Sequence, residues 1–210
     1  MPQRIFPWAN VLLAGCLLIN SGCASDSYAA KGAATGAGTG ALAGAIGAAA
    51  TALVFGGNVG EAAGRGAVYG GTSGAVAGGL SGSREDKRIA EQKRAEYEQR
   101  IAEFRKQIGD DAFNGFVALA ECKDEVALAN AHEAQQSKKA EYALAGLWLE
   151  ALVAADRADE VAINASLERI ARDDRDYETV TEVRPRLDEA LAALGQVRVD
   201  HDLARVCDRS

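Results

Sequence analysis

The sequence is poor in residues that interrupt helices. Only three prolines occur in 210 residues, and Pro2 and Pro7 lie at the extreme N-terminus. Beyond Arg84 glycine is also rare, with four occurrences, whereas Ala, Glu, Arg and Leu are frequent there. Proline and glycine are the strongest helix breakers, and these four residue types are good helix formers. The second half of the chain is therefore predicted to be all-helical.

Charge is scarce in the first part of the chain and mostly acidic in the rest. Of 23 basic and 30 acidic side chains, residues 1–83 carry three and two, a net charge of +1. The remaining 20 basic and 28 acidic side chains give a net charge of −8. A nucleic-acid-binding protein needs a basic surface that neutralises phosphates. Nucleic acid is therefore not expected as a partner.

Patterns of catalytic or cofactor-binding groups are absent from the sequence. Residues 71–74, Gly-Thr-Ser-Gly, miss the Gly-x-Ser-x-Gly pattern of a nucleophile elbow, and the glycine-rich stretch lacks the lysine of a phosphate-binding loop. The acidic run over 173–178 lacks the glycine turn and distal glutamate of a calcium loop. The protein is predicted not to be an enzyme and to carry no cofactor or metal.

The most informative pattern that is present is glycine at every fourth position. Spacing of four places residues along one side of a helix, and a side without side chains lets a second helix come very close. The pattern predicts a helical hairpin over 32–82 whose arms pack through these glycines. Leucine at Gly40 or Gly74 should therefore force the arms apart, whereas leucine at Ala41 or Ala75, one position round the helix, should be tolerated. The two runs are Gly32, Gly36, Gly40, Gly44 and Gly66, Gly70, Gly74, Gly78, Gly82.

The hairpin is expected to be associated with a membrane. In hydrocarbon the backbone must satisfy its own hydrogen bonds, so a glycine-rich segment that is a poor helix in water becomes helical. Large apolar residues such as Leu42, Ile46 and Leu53 are sparse, so neither arm is a strong spanning helix by itself. Insertion would rely on packing between arms or between copies, which predicts a homo-oligomer. A flexible Gly/Ala linker and a glycine-rich domain in water are the alternatives.

The N-terminus has the pattern of a secretory signal. Arg4 precedes an apolar run over 5–19, and two cysteines follow small residues, in Leu-Ala-Gly-Cys16 and Ser-Gly-Cys23. Both resemble the lipobox of bacterial lipoproteins, which implies lipidation of the cysteine and cleavage before it. Cleavage before Cys23 gives the longer apolar core and leaves an even pair of further cysteines, so Cys23 is the predicted lipidation site. Cys16 is the alternative.

The two cysteines of the second half are expected to form a disulfide. Cys122 is expected in the middle of a helix and Cys207 near the end of the chain. Both would remain in an oxidising compartment, where pairing would close a long loop. Two buried free thiols are the alternative. His132 and His201 complete no compact zinc spacing with them.

The second half divides into a charged helix and a helical domain. Residues 84–108 are dense in charge, with a narrow apolar stripe of Tyr97, Ile101, Phe104 and Ile108, which suits a coiled coil or a solvated helix with one edge on the next domain. Gly109 is expected to end this helix. Four apolar faces follow, and Pro185 is expected in the first turn of the last long helix. The faces are Phe113, Phe116, Val117, Ala120; Leu144, Leu147, Trp148, Ala151, Leu152, Ala155; Ile163, Leu167, Ile170; and Leu187, Ala190, Leu191, Leu194, with a last short helix carrying Val199, Leu203 and Val206.

These segments predict an all-α protein with five parts. They are a lipoprotein signal peptide (1–22), a linker after the lipid anchor (23–31), a glycine-zipper membrane hairpin (32–82), a charged helix (83–109) and a helical domain (110–210) built as a bundle or as stacked helical hairpins. Antiparallel helix pairs of this size are similar to tetratricopeptide repeats, but the Trp, Gly, Tyr and Pro positions of that motif do not line up.

The lipobox and the two glycine runs together resemble the glycine-zipper outer-membrane lipoproteins, which include small bacterial surface antigens. The resemblance covers residues 1–83. It implies a palmitate-carrying, lipid-anchored protein of the cell envelope, in the outer membrane and facing the periplasm or the surface, with a structural role. Membrane lipid is the partner expected from this assignment. The helical domain is not part of the family pattern, and it is expected to contact a periplasmic protein. The alternative is a secreted, membrane-active factor that forms oligomers or pores.

Overall fold

The computed structural model describes residues 28–68 and 84–207. Within these ranges the chain forms eight helices and no strand, which confirms the all-α fold class. The helices are α1 (Tyr28–Phe55), α2 (described over 59–68), α3 (Arg84–Ile108), α4 (Asp110–Ala120), α5 (Asp124–Gln135), α6 (Ala140–Asp156), α7 (Glu160–Asp173) and α8 (Val180–Asp200).

The helices α1 and α2 form a hairpin. The turn between them contains Gly56 and Gly57 with φ angles of 82° and 122°, a conformation that residues with a side chain rarely adopt. Asn58 then begins α2, because its Oδ1 atom accepts a hydrogen bond of 2.7 Å from the backbone N–H of Glu61. The buried positions of α2 recur at helical spacing and end with Gly66, so one side of α2 is covered by the fold. The remainder of the predicted hairpin, residues 69–82, lies outside the described residues.

The charged helix α3 packs one edge on the rest of the protein. Tyr97, Ile101 and Phe104 are half-buried and Ile108 is fully buried, and α3 contacts α1, α4 and α6. This is the arrangement of a solvated helix resting on a domain. Gly109, with a φ angle of 88°, separates α3 from α4, as the sequence indicates.

The predicted apolar faces of the second half lie in the core. Their members recur at helical spacing, so each amphipathic helix turns the same side inward. The buried members include Phe113 and Phe116 on α4, Leu147, Trp148, Ala151 and Leu152 on α6, Ile163, Leu167 and Ile170 on α7, and Leu187, Ala190 and Leu194 on α8.

The beginning of α8 differs from the expectation. Thr179 and Glu182 form a capping box, in which each side chain binds the backbone N–H of the other, and the helix therefore begins at Val180. Pro185 lies inside the helix rather than in its first turn. Because proline has no backbone N–H, it cannot donate to the carbonyl of Thr181 one turn earlier.

Two further local expectations are wrong. Cys122 is not in the middle of a helix but in the turn between α4 and α5, with a φ angle of 60°. The proposed last helix is also absent from the described residues. Val199 belongs to α8, and residues 201–207 form a non-helical tail that carries Leu203 and Val206.

The hairpin shares one apolar core with the helical domain. Leu42, Ile46, Leu53 and Val54 of α1 are buried in the same cluster as side chains of α4, α6 and α8. An apolar cavity of about 20 Å³, roughly one water molecule in size, remains where α1 meets these helices. No helix within the described ranges is both long and apolar enough to cross a bilayer. Four large apolar side chains of the first arm are thus packed inside the fold, whereas Phe55, at the end of α1, is 48% exposed.

Candidate functional site

The closest approach of α1 and α2 involves one glycine from each predicted run. A Cβ atom added to Gly66 would overlap the carbonyl oxygen of Gly44 and would lie 2.9 Å from the Cβ atom of Ala48. Gly40 and Gly44 are themselves buried. Ala41 is buried as well, with 8% exposed.

The other predicted glycines have no described surroundings. Gly32 and Gly36 lie within α1, and Gly70, Gly74, Gly78 and Gly82 lie outside the described residues. Close packing also extends beyond the predicted runs. A Cβ atom on Gly47 would overlap the ring of Phe104 on α3 and would lie 2.9 Å from the ring of Phe113 on α4.

The turn of the hairpin is held by two side chains of α8. Arg186 donates from Nη2 to the backbone carbonyl of Ala52 at 2.6 Å, and Glu189 accepts at Oε1 from the backbone N–H of Val59 at 3.0 Å. Arg186 and Glu189 also pair with each other at 2.7 Å. The first contact satisfies a carbonyl near the C-terminus of α1, and the second satisfies the N–H that opens α2. One ion pair therefore caps both helix ends of the turn.

Cys122 and Cys207 are joined by a disulfide, with their Cα atoms 5.5 Å apart. The bond connects the α4–α5 turn to the end of the tail after α8. The candidate lipidation residues Cys16 and Cys23 lie outside the described residues.

A buried ion pair lies at the ends of α6 and α8, close to the disulfide. Arg198 is completely buried and Asp156 is 8% exposed. The guanidinium group binds both oxygens of Asp156 at 2.8 Å. It also donates to the carbonyls of Leu119 and Ala120 at 2.6 and 3.3 Å, and to that of Arg205 at 3.4 Å. All five N–H donors of the arginine are thus used, and they join the C-terminus of α4, the end of α6 and the tail.

Asp124, the first residue of α5, brings a second carboxylate to this place. Its Oδ2 atom accepts from Nε of Arg157 at 2.9 Å, while its Oδ1 atom is buried without a hydrogen-bond partner among the described residues. The hydrogen bond that Arg157 donates to Asp124 is the main cause that raises the pKa of Arg157. Ligand atoms of Asp124, Asp156 and Cys207 all lie within 4.8 Å of one another.

The two histidines are not part of this polar cluster, which we define as Asp124, Asp156, Arg157, Arg198 and the disulfide. His132 is exposed on α5, and His201 is the first residue after α8. The Nε2 atom of His201 is buried without a partner among the described residues, and burial lowers the pKa of its imidazole.

Sequence reasoning missed Asp156 and Arg198 although a signal was present. Asp156 follows Leu152 by four residues, and Arg198 follows Leu194 by four, so each charge continues an apolar face. A charge at a core position indicates a buried partner, since ionised groups are rarely buried without one.

Comparison with known proteins identifies no relative in which the residues of this cluster could be compared. The chain matches no family model, no curated protein and no solved structure.

Proposed function

We propose that this protein is a lipid-anchored protein of the bacterial cell envelope, with Cys23 as the lipidated residue and the helical fold as a structural interaction module in the periplasm. The observation that carries the proposal is the disulfide between Cys122 and Cys207. Disulfides persist mainly in oxidising compartments such as the periplasm. Cleavage before Cys23 would remove Cys16 and leave these two cysteines as the only ones besides the anchor.

The position of α1 fits such an anchor. The helix begins at Tyr28, five residues after Cys23. An extended chain spans at most about 3.6 Å per residue, so the start of α1 would lie within roughly 18 Å of the lipidated cysteine. A lipid at Cys23 would therefore hold the fold against the bilayer surface.

The proposal assigns the glycine zipper to folding within one chain. The contact between Gly44 and Gly66 joins two helices of the same molecule, and Leu42, Ile46 and Leu53 fill its core. In this arrangement the protein contacts the membrane through the lipid on Cys23. A membrane-active oligomer, the second candidate from the sequence, would have to withdraw these side chains from the core before they could meet lipid.

Metabolic labelling with a palmitate analogue tests the anchor. We expect Cys23→Ser to lose the label and to accumulate as precursor, because the thioether needs that sulfur. Cys16→Ser is the matched control and should be labelled and recovered with membranes like the unchanged protein. The reverse result would assign the anchor to Cys16. Absence of label from the unchanged protein would contradict the proposal, and dye release from vesicles would then test the membrane-active candidate.

A further inference from the structure

The polar cluster contains several atoms of the kinds that bind metal ions. The ligand atoms of Asp124, Asp156 and Cys207 lie within 4.8 Å of one another. Cys122 is bonded to Cys207 and would become a fourth donor if that bond were broken. Two thiolates with two carboxylates are ligands that Zn²⁺ accepts in a four-coordinate site.

One carboxylate oxygen of Asp124 is available to bind a cation. Its Oδ2 atom is held by Arg157, but its Oδ1 atom is buried and has no hydrogen-bond partner among the described residues. A buried carboxylate oxygen without a partner is costly, and a bound cation would satisfy it. Both oxygens of the second carboxylate, Asp156, accept hydrogen bonds from Arg198. Carboxylates that bind metals are typically held by such outer hydrogen bonds.

We propose that the reduced form of this protein binds one Zn²⁺ ion through Cys122, Cys207, Asp124 and Asp156. Two thiolates and two carboxylates carry four negative charges, and Arg157, Arg198 and the ion carry four positive charges. In the oxidised form the two carboxylates are balanced by the two arginines alone. The Zn²⁺ ion and the two thiolates carry equal and opposite charge, so reduction with zinc binding leaves the net charge of this partly buried cluster unchanged.

The exchange between the two forms is a two-electron step. A dithiol reductant passes two electrons to the Cys122–Cys207 disulfide and becomes a disulfide itself. The two thiol protons of the reductant pass to the two protein thiols, and both are released to solvent when Zn²⁺ binds the two thiolates. Oxidation of the zinc-bound thiolates by a disulfide oxidant reverses the step and releases the ion.

The inference is tested with Co²⁺ as a spectroscopic probe and Zn²⁺ as its competitor. The mature protein is reduced, separated from the reductant under argon and titrated with Co²⁺. We expect a thiolate-to-cobalt charge-transfer band together with the visible bands of tetrahedral Co²⁺, both lost when one equivalent of Zn²⁺ is added. The oxidised protein should give neither band.

Asp124→Asn and Glu125→Gln form a matched pair for this titration. Glu125 is the next residue on α5 and binds the same arginine, at 2.8 Å, but its side chain is 87% exposed and outside the cluster. Removal of an outer-shell partner typically lowers metal affinity by roughly 10–100-fold, and removal of a ligand should lower it by at least as much. We therefore expect Asp124→Asn to bind Co²⁺ more weakly by at least that factor and Glu125→Gln to bind it unchanged.

Circular dichroism of the same samples reports whether the reduced chain stays folded. Binding by thiols of an unfolded chain would be equally strong in both variants. Equal affinity of the two variants, or absence of the charge-transfer band in the reduced protein, would overturn the inference.

Discussion

Gly66 on α2 lies directly against the backbone of Gly44 on α1, whereas Gly64, two residues earlier on α2, has no neighbouring atom within 4 Å of where its Cβ atom would be. The two glycines share a helix and differ in whether a second helix covers them. They therefore separate the effect of close packing from the effect of helix propensity.

Alanine at these two positions should have opposite effects on stability. Gly66→Ala forces the new Cβ atom against Gly44 and Ala48, and overpacking of this kind typically lowers the free energy of unfolding by about 1–3 kcal/mol. Gly64→Ala meets open space and should raise it by up to about 1 kcal/mol, because alanine favours the helix. Urea denaturation of the mature protein measures both. The same change in both variants would mean that α1 and α2 do not pack at Gly66.

Removal of Arg198 should destabilise the protein strongly. In Arg198→Met the buried Asp156 loses its partner, and breaking a buried pair from one side costs about 3–5 kcal/mol. The double variant Arg198→Met/Asp156→Leu should recover part of this loss, because it leaves no buried charge. Arg184→Met is the control, since its partner Glu160 is exposed and an exposed ion pair adds little to stability. A double variant as unstable as Arg198→Met would show that the loss of stability comes from the other contacts of Arg198 and not from the unpaired charge of Asp156.

Loss of the disulfide should lower stability without changing the fold. The bond joins residues separated by 85 positions, and the chain-entropy model gives about 4 kcal/mol for a loop of this length. We expect the Cys122→Ser/Cys207→Ser variant to unfold at lower urea concentration and to migrate more slowly than the unchanged protein on non-reducing gels. Complete alkylation of both thiols in the unchanged protein without reductant would rule out the bond.

Periodicity predicts those helices whose inner faces are built from large apolar residues. The faces of α6 and α7, such as Trp148 with Leu152 and Ile163 with Leu167, are buried as the spacing indicates. The helix α5 gave no such signal. Its buried residues Ala127, Ala131 and Ala134 are all alanine, whose side chain adds too little hydrophobic contrast to mark a face.

The polar cluster could not be predicted as a site because its members come from distant parts of the chain. Asp156 and Arg198 are 42 residues apart, and each by itself resembles a solvated charge at a helix end. Only their position on apolar faces indicates burial. Which acid meets which base depends on how α6 and α8 cross, and that follows from packing of the whole core.

The buried imidazole of His201 predicts a loss of stability in mild acid. Burial lowers the pKa of His201, outweighing Asp200 and Asp202, which raise it. The unfolded chain, with a histidine pKa of about 6.5, therefore binds more protons below that pH than the folded chain does. The contribution of the neutral His201 imidazole to stability is present above about pH 6.5 and declines as the pH falls through that value. Urea midpoints measured between pH 5 and 8 should fall less steeply in His201→Gln than in His132→Gln, whose side chain is exposed on α5. Identical slopes in the two variants would exclude His201 as a source of the loss of stability in acid.

The cap that α8 places on the hairpin turn should be visible at a single backbone amide. The N–H of Val59 opens α2, has no acceptor within its own helix, and is bound by Glu189. Glu189→Ala removes that acceptor, so hydrogen exchange at Val59 followed by NMR should become faster, and the free energy of unfolding should fall by about 1–2 kcal/mol. Glu189→Gln keeps an oxygen acceptor and should retain most of the protection. Arg184→Ala, five residues earlier on α8, removes an ion pair with α7 and should leave the Val59 amide unchanged. Unaltered exchange at Val59 in Glu189→Ala would mean that α8 does not hold the hairpin at this turn.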